Sequence, residues 1–123
     1  MYRIAIHGGA GLSTPEHLGT EREEQGRQDL HRSLLLANAI LSKGGCAVEA
    51  TEAAVCILED SEIFNAGKGS VYAADGIQRM DASIMDGLSN KAGAICGISR
   101  VRNPIQLARK VMALPSNCVT LAK

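Results

Sequence analysis

Apolar residues recur at helical spacing in three stretches of the chain. The first follows Thr20 and Glu23, whose spacing is that of a capping box, and ends at Gly44–Gly45. The second covers residues 46–59. The third covers residues 103–114, where an asparagine and a proline cap and open the helix. Three helices are therefore predicted, and the glycine pair between the first two favours antiparallel packing.

Other stretches have the alternation or the short apolar runs of strands. The predicted strands are residues 2–7, 70–73, 80–84, 92–99 and 117–122. Asp86–Gly87 marks the turn of a hairpin between the third and fourth of these. The resulting order, β-α-α-β-β-β-α-β, predicts a mixed α/β (α+β) fold built in layers.

Composition limits the classes of partner. The 123 residues fit one domain or part of one, and 13 basic residues balance 13 acidic ones. This balance, with two tyrosines, one phenylalanine and no tryptophan, gives no support for binding nucleic acid or an anionic membrane surface. No apolar run is long enough to span a bilayer. The four cysteines show no zinc-site spacing, so we expect buried, reduced thiols in a cytoplasmic protein.

A glycine-rich turn, His7-Gly-Gly-Ala-Gly11, follows the first predicted strand. Such a turn can bring backbone N–H groups close to an anion, but the spacing is not that of a nucleotide loop. On its own it favours a tight structural turn over a binding loop. We expect His7 to form a local hydrogen bond that orders the turn.

A second irregular segment, residues 58–70, follows the second helix. Its glycines leave carbonyl oxygens without ladder partners, and such oxygens suit a hard cation. Composition alone favours an ordinary helix-to-strand connection. Farther on, Asp81 and Ser83 share one strand face, which leaves a chemical role for Asp81 open, whereas Asp86 is first of all a turn residue.

Five motifs, taken together and in order, cover essentially the whole chain. They are His7-Gly-Gly-Ala-Gly11, Phe64-Asn-Ala-Gly-Lys-Gly69, Met80-Asp-Ala-Ser-Ile-Met-Asp-Gly87, Lys91-Ala-Gly-Ala94 and Arg102-Asn-Pro104. In combination they resemble the α-subunit half of the plant-type asparaginase/isoaspartyl peptidase family. These enzymes are N-terminal-nucleophile hydrolases similar to glycosylasparaginase and taspase.

The resemblance implies a four-layer αββα sandwich made as one precursor, of which residues 1–123 form an incomplete α-subunit portion. The family precursor cuts itself before a threonine, whose freed amine serves as general base for its own hydroxyl. The implied substrate is L-asparagine or a β-aspartyl (isoaspartyl) peptide. The implied partners are the complementary β part and, in the intact enzyme, a second αβ unit. Because the threonine belongs to the β part, we expect this chain alone to be inactive.

The resemblance also implies roles for particular residues. Asn65 resembles the asparagine that lies beside the threonine, and Gly8, Gly9 and Gly11 resemble the loop packed near it. A structural sodium ion is implied, and no organic cofactor. Main-chain carbonyls would bind the sodium at Leu58, Glu59, Ser61, Phe64, Ala66 and Lys68, with the Lys68 charge directed to solvent. The alternative is a non-catalytic binding module or pseudoenzyme that uses the Gly8–Gly11 loop to hold an anion.

Overall fold

The computed structural model describes residues 1–9, 19–115 and 119–121, and the last of these ranges by its backbone only. The elements are α1 (Thr20–Ser42), α2 (Ala47–Asp60), a short 3₁₀ turn (Gly67–Gly69), β1 (Met80–Asp86), β2 (Lys91–Ile98), α3 (Pro104–Met112) and β3 (Val119–Leu121). The fold is thus mixed helix and strand, an α+β arrangement. The predicted helices and the hairpin are confirmed, with ends shifted by one or a few residues.

Helices α1 and α2 pack antiparallel along small side chains. Ala37, late in α1, lies in one core cluster with Ala50 and Ala54 of α2, while Asp29, early in α1, bonds to Ser61 at the end of α2. Alanine contacts allow the two helix backbones to approach closely, which explains why so few large side chains are needed here.

The predicted capping residues were partly wrong. The N-cap of α1 is Gly19, not Thr20, and no side chain caps it. The capping box that the structure contains begins α2, where the Cys46 thiol accepts from the Glu49 N–H and the Glu49 carboxylate accepts from the Cys46 N–H. A capping box satisfies free N–H donors in the first turn of a helix. Here a thiol takes the place of the usual hydroxyl.

The start of α3 is also capped differently from the prediction. Asn103 is the N-cap, with Pro104 next to it as expected, but the Asn103 side chain makes no cap bond. Its amide donates to Asp60 at 3.2 Å, and Glu59 of α2 instead accepts from the Ile105 N–H at 2.9 Å. A side chain from another helix therefore supplies the cap, which local sequence does not reveal.

Among the described residues the strands form one sheet in the order β1-β2-β3. Strands β1 and β2 are antiparallel, with Ile84 opposite Gly93, and β2 and β3 are parallel, with Ala94 opposite Val119. The register shifts at Asp81, where a bulge places Gly97 at a φ of 73°. The β2–α3–β3 segment is therefore a parallel crossover unit.

Helix α3 covers one face of the sheet and forms the larger core. Its buried residues pack on Ile84 of β1 and on Ile95 and Ile98 of β2. Gly93 of β2 lies directly under the helix, since a Cβ there would overlap the backbone of Ala108 and Met112. On the other face, Asp81, Ser83 and Met85 of β1 are exposed, which matches the alternation expected of a strand covered on one side.

Two predicted strands were wrong. Residues 2–7 have no ladder partner among the described residues; instead Ile4 and Ile6 pack on the α1–α2 cluster, and the Tyr2 hydroxyl donates to Asn38. Residues 70–73 are reduced to a single bridge between Tyr72 and Gln78. An apolar run gives a strand only where a neighbouring strand can take its hydrogen bonds.

Within the described ranges, none of the helices combines the length and the apolar content needed to cross a bilayer.

Candidate functional site

The segment between α2 and β1 folds back on itself at two glycines. Gly67 has a φ of 52°, and a Cβ at this position would overlap the Glu59 carbonyl. A Cβ at Gly69 would overlap the Phe64 carbonyl and lie 3.0 Å from that of Ser61. Only glycine allows so close an approach of backbone to backbone, so residues 61–69 fold tightly against the end of α2; we call residues 58–69 the carbonyl loop.

The carbonyl loop fits the chemistry of a small hard cation. The carbonyl oxygens of Glu59, Ser61 and Phe64 crowd the two glycines, in a space closed to any side chain. Main-chain oxygens at such a turn are ligands that hard cations accept. The carbonyls of Leu58, Ala66 and Lys68 also accept hydrogen bonds, at 3.3, 3.1 and 3.3 Å, and each oxygen keeps a second lone pair. The six carbonyls named from the sequence therefore remain a predicted sodium site.

The N-terminal glycine turn meets this loop through Phe64. The Phe64 ring lies 3.1 Å from the position of a Cβ on Gly8, and Leu30 of α1 lies 3.3 Å from it. Gly9 has a φ of 105° and donates its N–H to Nδ1 of His7 at 3.2 Å. The predicted local role of His7 is thus confirmed: its imidazole accepts a bond within the turn.

Asn65 of the carbonyl loop lines the same cleft as Gly8 and Gly9, and its amide has a defined orientation. Oδ1 accepts the Val71 N–H at 3.0 Å, and the side chain is exposed. An amide has separate donor and acceptor ends, so this bond leaves the Asn65 NH₂ group as the donor available to a ligand.

These residues line one open cleft of about 1060 Å³. The predicted residues that line it are Gly8, Gly9, Leu58, Phe64, Asn65 and Ala66. Gly11 lies outside the described residues. Arg22 and Arg27 of α1, and Val71, also line the cleft but were not predicted. Nothing in the local sequence separates these arginines from ordinary charges on a solvated helix face.

Several charged side chains contact the carbonyl loop, among them Arg22, which donates to the Glu62 carbonyl at 3.4 Å. Nζ of Lys68 lies 2.6 Å from the Glu62 carboxylate, and both side chains are largely exposed, in agreement with the expected solvent-facing lysine. The bond from Lys68 lowers the pKa of Glu62. The Arg102 guanidinium donates two hydrogen bonds of 2.9 Å to the Asp60 carboxylate, and they hold the pKa of that carboxyl low. This ion pair connects the end of α2 to the start of α3.

Glu59 is the buried carboxyl of this region. Its Oε1 caps α3, while Oε2 has no hydrogen-bond partner among the described residues. Burial raises the pKa of Glu59, an effect only partly offset by the bonds to Ile105 and Asn103. The side chain points toward α3, so its carbonyl and its carboxyl serve different parts of the fold.

Asp29 is a second buried carboxyl and was not predicted. It is 4% exposed, and its Oδ2 accepts the Ser61 hydroxyl at 2.7 Å. Asp29 therefore reaches from α1 to a residue of the carbonyl loop. Its position in the middle of a polar helix face gives no signal in the sequence.

The remaining candidates have structural partners. Asp86 accepts from the N–H groups of Leu88 and Ser89, which confirms its role as a turn residue. Asp81 accepts the Gly97 N–H at 2.8 Å across the bulge. Cys46, Cys56 and Cys96 are free; the expected burial was wrong for Cys46, which is exposed, while burial raises the pKa of Cys56 to about 11.

Comparison with known proteins identifies the family. The family model described as asparaginase matches residues 1–122. The chain belongs to the asparaginase family. The resemblance seen in the five motifs is thereby confirmed over nearly the whole chain, and the two glycine segments of the cleft lie within the matched region.

Several members of the asparaginase family are similar to this chain. An isoaspartyl peptidase/L-asparaginase of Xenopus laevis is 46% identical over 109 residues, which are 89% of this chain and 34% of the relative. The Bos taurus protein of the same name is 42% identical over 94% of this chain and 36% of its own. An isoaspartyl peptidase of Salmonella typhimurium is 42% identical over 89% and 35%. The chain thus spans about a third of the length of these relatives.

Proposed function

We propose that this chain is the α-subunit part of a threonine-nucleophile amidohydrolase that cleaves L-asparagine, β-aspartyl peptides or both. The observation that carries the proposal is the meeting of the Gly8–Gly9 turn with Phe64, Asn65 and Ala66 at one cleft in a chain of the asparaginase family. The relatives that match are named isoaspartyl peptidases or L-asparaginases. The complementary β part, which carries the nucleophilic threonine, is the partner that the proposal requires.

In the proposed reaction the threonine hydroxyl attacks the side-chain carbonyl carbon of the substrate, and its proton passes to the threonine's own free amine. The C–N bond of the tetrahedral intermediate then breaks, and the leaving amine or ammonia takes that proton. The product is an aspartyl ester on the threonine. Water attacks this ester and releases aspartate, which regenerates the hydroxyl. Aspartate and an amine are the products, and no electron transfer is involved.

In this reaction Asn65 supplies a fixed hydrogen-bond donor. Because its Oδ1 is bonded to the Val71 N–H, the NH₂ group is free to hold an oxygen of the threonine or of the intermediate. The Phe64 ring and Leu30 pack against Gly8, but a Cβ at Gly9 would meet no atom within 4 Å, so at Gly9 the cleft wall is bare backbone that a reacting group can approach. The chain's part in the chemistry is to position the nucleophile.

The exposed face of the sheet supports the proposed four-layer αββα sandwich. Helix α3 covers one face, whereas Ser83 and Met85 lie exposed on the other. A second sheet, supplied by the β part, would cover this face. We further propose that two αβ units form a homodimer. The proposed location is the cytoplasm, where thiols such as Cys46 and Cys56 stay reduced.

We also propose that the carbonyl loop binds a structural sodium ion and no organic cofactor is required. The support is the crowding of main-chain carbonyl oxygens at Gly67 and Gly69. Sodium should raise the melting temperature of the chain above that in an equal concentration of a large organic cation, by mass action. Equal melting temperatures in the two salts would remove the sodium site from the proposal.

The proposed function is tested by adding a threonine-starting β chain to this chain and measuring hydrolysis of a β-aspartyl dipeptide. Turnover should require both chains. Asn65→Asp is the informative variant, because an aspartate keeps an acceptor for Val71 but has no NH₂ donor. Loss of such a donor should lower kcat by roughly a hundredfold.

The control for this variant is Asp75→Asn, which makes the reverse change at an exposed ion pair with Arg79 outside the cleft. Its kcat should equal that of the wild type. Full activity of Asn65→Asp would contradict the donor role. Failure of the two wild-type chains to turn over either substrate would reject the proposed function itself.

A further inference from the structure

Asp29 is a buried carboxylate whose position is not explained by the packing of α1 alone. Its side chain is 6% exposed and lies in the antiparallel contact between α1 and the end of α2. Oδ2 accepts from the Ser61 hydroxyl at 2.7 Å; Oδ1 accepts from Gln25 at 3.1 Å and from Arg32 at 3.2 Å. A buried ion pair is often replaceable by apolar residues without loss of stability, so stability alone is a weak reason for it.

The bond from Ser61 connects this carboxylate to the carbonyl loop. Ser61 is the C-cap of α2 and is buried, and its hydroxyl also accepts the Ile63 N–H at 3.2 Å. Its carbonyl is one of the oxygens that crowd Gly69. The side chain of Ser61 is thus held by Asp29 while its main chain contributes to the proposed cation site. A carbonyl held in this way loses little freedom when it binds a ligand.

Charge gives a second link between Asp29 and the loop. Carbonyl ligands are neutral, so a cation held only by them keeps its full charge in a partly dry environment. Lys68 and Glu62, both largely exposed, pair with each other, and Asp60 pairs with Arg102. Arg22 donates to the Glu62 carbonyl at 3.4 Å. Arg32 also contacts Asp29, but its side chain is 66% exposed and is therefore screened by water. Of the two buried carboxyls among the described residues, the side chain of Glu59 points toward α3, whereas the Asp29 carboxylate bonds to Ser61 of the loop.

We propose that Asp29 is a positioning residue for the carbonyl loop, which fixes Ser61 through its hydroxyl and raises the affinity of the loop for sodium through its charge. This inference rests on the proposed sodium site and identifies the group that would tune it.

The test is a titration of the 123-residue chain with sodium chloride, in which the ²³Na relaxation rate is measured at each step to obtain the Kd for sodium. N-methylglucamine chloride keeps the ionic strength constant. The variant is Asp29→Asn, which retains an acceptor for Ser61 but removes the charge. Loss of the buried charge should weaken the Kd by roughly tenfold, because Coulomb attraction is only partly screened at a site from which water is largely excluded, and because Arg32 already offsets part of the charge. Asp75→Asn removes an exposed carboxylate charge that is paired with Arg79 and should leave the Kd unchanged.

Two further variants separate the contributions. Ser61→Ala keeps the charge and removes the hydroxyl, so a weaker Kd in this variant isolates the positioning bond. Arg32→Gln removes the positive partner at the exposed side, and the Kd should stay equal or become tighter. Arg32→Gln also tests the charge in case Asp29→Asn fails to fold, since weaker sodium binding in Arg32→Gln would contradict the proposal.

The outcomes distinguish the inference from the site on which it rests. A wild-type chain that binds no sodium rejects the site and the inference together. A wild-type chain that binds sodium, with Asp29→Asn and Ser61→Ala binding it equally well, rejects the role of Asp29 alone. The proposal is supported when both variants bind more weakly and Asp75→Asn does not.

Discussion

Gly69→Ala should destabilise the chain strongly, because the added methyl group meets backbone and not a movable side chain. At Gly69 a Cβ would overlap the Phe64 carbonyl, with the Ser61 carbonyl 3.0 Å away. Overpacking of a tight site costs about 1–3 kcal/mol. Since neither carbonyl can move without opening the loop, we expect a loss near the upper end, about 3 kcal/mol. Sodium should no longer raise the melting temperature of this variant.

Gly87→Ala is the matched control for this prediction. Neither glycine has a φ in the left-handed region, but a Cβ at Gly87 would meet no atom within 4 Å. Its substitution should be neutral or stabilise the fold by up to about 1 kcal/mol, because alanine lowers the conformational entropy of the unfolded chain. The free energy of unfolding of both variants is measured by urea denaturation with comparison of the m-values. Equal stability of the two variants would refute the crowded carbonyl loop.

Two other substitutions test the described contacts. Burial raises the pKa of Glu59, so the folded chain keeps a proton that the unfolded chain has lost. The free energy of unfolding in sodium-free buffer should therefore fall as the pH rises from 4.5, the ordinary carboxyl value. Urea titrations at several pH values should show a smaller fall for Glu59→Gln. An equal fall in the variant and the wild type would contradict the raised pKa of Glu59. Cys46→Ser puts a better acceptor in the capping box and should stabilise α2 by about 0.5–1 kcal/mol by thermal melting, whereas Cys46→Ala should not.

Local patterns were sufficient for the helices and the hairpin. The periodic apolar face of α2 and the turn at Asp86 act within a few residues, and the structure has them where the sequence predicts them. The strand predicted over residues 2–7 failed because a strand depends on a neighbour that its own sequence does not specify. Glu59 as the cap of α3 was missed for the same reason: it lies 46 residues from Ile105, to which it bonds.

In the candidate site, too, features set by local sequence could be predicted and features set by long-range packing could not. Its glycine segments could be named from sequence because glycine is required where backbones crowd, as at Gly67 and Gly69. The contact of Phe64 with Gly8 and the bond of Asp29 to Ser61 depend on how α1 packs, and no spacing encodes that packing. Charged residues on a helix have the same pattern whether they face solvent or a cleft, so Arg22 could not be distinguished.

In the proposed function, this chain positions a nucleophile that belongs to another polypeptide. The most direct test is to mix the chain with a threonine-starting β chain, quench turnover of a β-aspartyl dipeptide with acid, and weigh each chain by intact-mass spectrometry. An aspartyl ester should form on the β chain only when both chains are present, and no adduct should form on the 123-residue chain. An aspartyl adduct on this chain, or turnover by this chain alone, would contradict the claim.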